Sequence, residues 1–181
     1  MRTVLTCLND DFRIRLRELL RLCSADGLPV LPYCTMRTCA EQAVIYRRSR
    51  TTKEIKQKIQ SLTDRGYPFL ADALASVGPQ TGTLGAHKTM AAPGESWHQY
   101  ALAADCVPLD NGKAVWDSDA PEWQVYGKAA KIAGLYWAGS WRNFQEFPHV
   151  QLYPTSNPLS HYRDPDSVRA VLAQAGSIRE A

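Results

Sequence analysis

The sequence predicts an α+β fold, a small antiparallel sheet flanked by helices. Three observations carry this. Residues 9–25 and 121–133 place apolar side chains at helical spacing, Asn111-Gly112 is a hairpin turn signal, and the short runs 135–138 and 149–153 read as strands.

Taken in order, Phe12, Leu16, Leu19, Leu20 and Cys23 form the apolar stripe of an amphipathic helix, with Asn9 or Asp10 as its N-cap and Gly27 beyond its end. Residues 28–33 are a short apolar run with two prolines, as expected of an edge strand or extended segment. Residues 41–48 read as helical, 52–66 as a polar, lysine-rich helix or excursion, and 70–74 as a helical turn. Residues 77–96 are rich in Gly, Thr, Pro and Lys and read as a long loop, a kind that is usually functional or mobile inside a compact domain. The small-residue apolar run 101–108 leads through the Asn-Gly turn to a return at 113–116. Trp123, Val125, Tyr126, Ala129, Ala130 and Ala133 set the helical period of 121–133, which stops at Gly134. A short helix is expected over 166–174 in the polar tail.

With 181 residues the chain is long enough for one compact domain whose core needs no disulfides. We expect one domain over 1–154, with 155–181 as a tail belonging to it. The net charge of +3 is mild. The one basic cluster, Arg47, Arg48 and Arg50, reads as a solvated helix end, so no nucleic-acid partner is expected. Five cysteines, an odd number without a C-x-x-C pair, read as buried free thiols from a reducing compartment. The apolar run Val4–Leu8 is too short for a signal-peptide core, and no stretch has the length of a membrane span.

The residues able to carry chemistry fall in three clusters. His98 and Asp105 flank a short run after the loop. Imidazole nitrogen and carboxylate oxygen both suit zinc, and a catalytic zinc keeps three protein ligands and one open position. On a straight strand their odd separation points them to opposite faces, so a shared metal requires a bend around 99–101. Glu146 precedes His149 by three residues. Pro148 disfavours a helix there, so a turn into the strand is expected, with His149 on the metal and Glu146 beside it unliganded. A free carboxylate in that position takes a proton from the attacking water and returns it to the leaving amine. The third cluster is Arg37-Thr38 with Gln42 at a helix start, where a fixed guanidinium can stabilise an oxyanion. Trp137 and Trp141 are core side chains or a cleft wall. His87 and His161 fit no pattern and read as surface histidines.

Together these segments resemble the zinc D-Ala-D-Ala carboxypeptidase and L-alanyl-D-glutamate endopeptidase family, which includes many phage endolysins. Its pattern S-x-H-x-x-G-x-A-x-D, then W-G-G-x-W, an acid-x-x-H pair and an upstream R-T/S-x-x-x-Q is met by Ser96, His98, Ala103 and Asp105; by Trp137, Gly139 and Trp141; by Glu146 and His149; and by Arg37, Thr38 and Gln42. The resemblance spans about residues 8–153. It implies a fold similar to the zinc D,D-peptidase or hedgehog type and a Zn2+ ion on His98, Asp105 and His149. It also implies Glu146 as general base and acid, Arg37 polarising the scissile carbonyl and Ser96 orienting the site. The implied substrate is the peptidoglycan stem peptide, cut by a monomer made in the cytoplasm and released to the wall by a phage holin. Three positions depart from the pattern: Ala101 and Ala138 replace glycines, and Glu146 stands where many endopeptidase members have Asp. If position 101 needs a left-handed backbone, alanine costs about 1–2 kcal/mol there.

Overall fold

The computed structural model describes residues 5–48, 50–77 and 88–178; residues 78–87 of the 77–96 loop, His87 among them, lie outside the described residues. Contacts divide the chain into two compact units. One joins the N-terminal segment to Met36 with Ala101–Pro154, and the other joins Arg37–Tyr100 with the segment from Thr155 onward.

The first unit opens with α1 (Asp10–Ala25). The Asn9 side chain accepts from the backbone N–H groups of Asp11 and Phe12, satisfying donors that the helix leaves open. The buried face of α1 is Phe12, Leu16, Leu19 and Cys23, the expected stripe except for Leu20, which is half-buried, and Gly27 at φ 75° takes the chain off the helix. This face packs against α5 (Glu122–Ile132), which buries Trp123, Tyr126, Ala129 and Ala130.

Between these helices in sequence run the strands β1 (Val30–Cys34), β2 (Ala103–Asp110) and β3 (Lys113–Ala114), followed after α5 by β4 (Tyr136–Trp137) and β5 (His149–Gln151). They form an antiparallel sheet in the order β1-β2-β5-β4, with β3 folded back on β2. β1 lies at an edge, where its proline is tolerated because no ladder partner needs the missing N–H. Asn111 and Gly112 both have positive φ, 48° and 77°, the backbone a two-residue hairpin needs. The register pairs Ala103 with Gln151, Ala104 with Val150 and Asp105 with His149. One sheet face therefore carries Ala104, Cys106 and Val150, all fully buried, and the Tyr126 hydroxyl of α5 donates to the Pro148 carbonyl at 3.2 Å. The other face carries Ala103, Asp105, His149 and Gln151.

The second unit is helical: α2 (Cys39–Arg47), α3 (Thr52–Asp64), α4 (Pro68–Ala75), α6 (Pro158–Tyr162) and α7 (Pro165–Gln174). α2 and α3 each start on a capping box, Thr38 with Glu41 and Thr51 with Glu54. Ala43, Tyr46, Ile55, Leu74 and Ala92 form its core, with Ile59 and Val77 packed on them. α7 buries Val168 and Leu172 and packs on a short 3-10 helix, Trp97–Tyr100.

Three local differences from the sequence expectation have physical causes. α4 begins at Pro68, a residue suited to the first helical turn, and is longer than the turn expected at 70–74. α6 has only five residues, too few to show a period. Arg50 is not a solvated helix end. Its guanidinium stacks 3.5 Å from the Tyr46 ring and donates to the carbonyls of Tyr46 and Thr89. All five cysteines are free thiols, four of them buried. Among the described residues no helix is long and apolar enough to cross a membrane.

Candidate metal centre

Asp105 and His149 face each other across β2 and β5 as a directly paired position, which puts both side chains on one sheet face. Asp105 Oδ1 lies 3.0 Å from His149 Nδ1, with His149 buried and Asp105 nearly so. The other ring nitrogen, Nε2, lies 3.1 Å from the amide oxygen of Gln151.

The amide of Gln151 decides which nitrogen carries hydrogen. Its nitrogen donates to the Tyr153 carbonyl, so its oxygen must be the atom facing His149. An oxygen accepts only, so Nε2 is the protonated nitrogen. In the neutral ring, Nδ1 then presents a lone pair to the Asp105 carboxylate. Two acceptors 3.0 Å apart repel unless a proton or a metal cation joins them. Two ligands of a tetrahedral zinc at its usual bond lengths stand about 3.4 Å apart, so the pair is close to the spacing a shared ion requires. The donor set fits zinc.

Glu146 reaches this region on the expected turn. The His149 N–H donates to the Glu146 carbonyl at 3.0 Å, and the Glu146 N–H donates to Ala138 at 3.2 Å. The same stretch is tied by Gln145 to the Gly139 carbonyl at 3.0 Å and by the Trp137 indole N–H to Phe147 at 2.7 Å. Trp137 lies flat over Gly127 and Gly139, positions where a Cβ would overlap its ring. It is therefore a brace for the Glu146 turn. Trp141 is half-buried, with its ring 6.1 Å from that of His149. The Glu146 side chain is exposed. Tyr33, at the irregular end of β1, has its hydroxyl pushed well above the usual tyrosine range, by burial first and then by nearby anionic groups including Asp105 and Glu146. Both carboxylates thus act on one phenol.

His98 and Arg37 belong to the second unit. His98 is not on a strand. It sits buried in the 3-10 helix, and Ala101 at φ 58° supplies the bend expected around 99–101. The Arg37 N–H donates to the His98 carbonyl at 3.1 Å, and Arg37 Nη1 donates to Gln42 at 2.8 Å. Gln42 in turn holds the Ala91 carbonyl at 2.6 Å. Flanking residues fix the His98 helix: Trp97 donates to Thr155 at 2.6 Å, Tyr100 donates to Gly94 at 2.9 Å, and the Gly94 N–H donates to Gln99. Gly94 has φ 82° and lies against Leu70, so no side chain fits there. Ser96 is half-buried, its carbonyl accepting from Gln99. His161 is exposed and stacks edge-on with Trp97.

Three contributors carried no signal as single residues. Gln151 and Tyr33 act through strand register. Glu95 is a buried carboxylate that anchors the approach to His98, accepting from Lys58 at 2.7 Å and from the Ala92 N–H at 3.1 Å.

Residues 90–152 match a family model described as D-alanyl-D-alanine carboxypeptidase. The peptidoglycan L-alanyl-D-glutamate endopeptidase CwlK of Bacillus subtilis (strain 168) is 32% identical over 74 residues, which is 36% of this chain and 44% of that protein. The chain thus spans under half the length of the curated relative it matches. Two solved structures align over most of the chain. The Serratia marcescens L-Ala D-Glu endopeptidase ChiX has 17% identity and a TM-score of 0.47, covering 88% of this chain and 87% of that one. A variant of the vancomycin resistance D,D-pentapeptidase VanY from a VanB-type cassette, in complex with Zn(II), has 16% identity and a TM-score of 0.47, covering 92% and 79%.

Proposed function

We propose that this chain, whose residues 90–152 match the D-alanyl-D-alanine carboxypeptidase model, is a zinc-dependent peptidase of the peptidoglycan stem peptide. The observation that carries the reading is the buried cross-strand pair Asp105 and His149, whose facing oxygen and nitrogen stand close to the spacing of two ligands on one zinc ion. His98 is the third ligand in this reading. A zinc ion held by these three supplies a Lewis acid at the scissile carbonyl.

The chain's own residues do the rest. Glu146, held outside the ligand set by its turn, takes the proton of the attacking water and delivers it to the leaving amine. Arg37, fixed by Gln42, steadies the oxyanion that forms at the carbonyl. Ser96 orients the His98 side of the site, Trp137 braces the Glu146 turn, and Trp141 walls the His149 ring. Likeness to CwlK favours the bond between L-Ala and D-Glu. A phage endolysin, acting as a monomer and released by a holin, is the setting this reading suits.

Purified muropeptides incubated with the zinc-loaded protein and resolved by mass spectrometry test it. A new D-Glu amine is the expected product. Release of terminal D-Ala alone replaces this reading with a D-Ala-D-Ala carboxypeptidase or dipeptidase on the same residues. No cleavage by a zinc-loaded chain makes it a non-catalytic zinc-binding module.

A further inference from the structure

We propose that Gln151 is a positioning residue for the metal site, fixing the His149 tautomer so that Nδ1 is the atom offered to the ion. The inference rests on the zinc reading above. It starts from the register. Gln151 stands two residues after His149 on β5, so both side chains leave the same sheet face. Its cross-strand partner is Ala103, whose methyl group leaves the space above it open for the amide. Gln151 is almost fully buried, at 1% exposure, where an amide without partners is costly.

Both ends of that amide are committed. The nitrogen donates to the Tyr153 carbonyl and the oxygen accepts from His149 Nε2 at 3.1 Å. The carbonyl of Tyr153 cannot donate, so the amide cannot turn over without losing both bonds. Tyr153 thereby sets Gln151, and Gln151 sets the ring. With Nε2 holding its hydrogen toward Gln151, Nδ1 keeps its lone pair on the side of Asp105. The bond also fixes the rotation of the ring about Cβ–Cγ, so the lone pair is aimed before any ion arrives. Partners of this kind raise the affinity of metal-binding imidazoles.

Two variants separate the contacts. Gln151→Met keeps the volume and removes the acceptor. Gln151→Glu keeps an acceptor toward Nε2, loses the bond to Tyr153 and adds a carboxylate charge. Zinc affinity is read by competition with a chromophoric chelator. The Met variant is expected to bind about 10–100-fold more weakly than wild type, and the Glu variant within about threefold of it. In the wild-type protein, nitrogen-15 NMR of the histidine side chains should show His149 protonated at Nε2 before zinc and ligated through Nδ1 after it. This reading does not depend on either variant folding. Wild-type affinity in Gln151→Met, or a neutral His149 ring in the metal-free wild type with its hydrogen on Nδ1 and none on Nε2, overturns the proposal and leaves the zinc reading standing. A wild-type chain that binds no zinc overturns both.

Discussion

Gly139→Ala is expected to destabilise the protein by roughly 2–4 kcal/mol, combining the strain of overpacking with one lost hydrogen bond. A Cβ built on Gly139 falls within 3.0 Å of three atoms of the Trp137 indole. Carbon atoms in contact prefer about 3.5–4.0 Å, so the ring must retreat by about 1 Å or more. It has little room, because Gly127 lies under the same ring with equal closeness. The retreat breaks the 2.7 Å bond from the indole to the Phe147 carbonyl, and it disturbs the Gly139 carbonyl that holds Gln145. Urea unfolding of the metal-free protein, followed by tryptophan fluorescence and far-ultraviolet circular dichroism, measures the loss. A fall in melting temperature of about 5–15 °C should accompany it. Ala138→Gly is the control. Its methyl group is fully buried, and its removal should cost only about 1 kcal/mol. If Gly139→Ala costs less than about 0.5 kcal/mol, the brace between Trp137 and the Glu146 turn does not exist.

Ala101→Gly should stabilise the chain by about 0.5–1 kcal/mol, because relief of the left-handed alanine at φ 58° outweighs the extra freedom glycine has when unfolded; a lower urea midpoint contradicts this. Glu95→Ala should cost about 2–3 kcal/mol, since it strands the Lys58 ammonium and the Ala92 N–H, while Glu95→Gln should cost less. Burial pushes the thiols of Cys23 and Cys39 up to about 11 from an ordinary value near 9. At pH 8 only about one in a thousand is thiolate, so mass spectrometry after native alkylation should find the half-exposed Cys7 labelled first. These two thiols are neutral in the fold, so their contribution to stability is whole below about pH 9 and is lost as the pH rises from there to about 11.

Much of the fold was legible because the signals were local. The Asn9 cap, the stripe Phe12, Leu16, Leu19 and Cys23, and the Asn111-Gly112 turn each act within a few residues, and each lies where the spacing predicts. His98 was harder to place. The four residues of its 3-10 helix are too few to show a period, and the following Ala101 adopts a backbone that its residue type does not advertise. Asp105, Glu146 and His149 could be picked out by type and spacing, and the turn at Glu146 followed from Pro148. Gln151 could not be picked out in that way. Its partners are set by the pairing of β2 with β5 and by Ala103 opposite it, a register that no single segment encodes. Tyr33 was hidden for the same reason, since β1 places it near Asp105 through a bulge between Pro32 and Cys34.

The division of labour between holding a metal and moving a proton is tested most directly by Glu146→Ala, with zinc content and stem-peptide hydrolysis measured on one sample. The account predicts one zinc per chain, as in the wild type, with hydrolysis reduced by about a hundredfold to ten-thousandfold. Hydrolysis at the wild-type rate, or loss of the zinc, would contradict it.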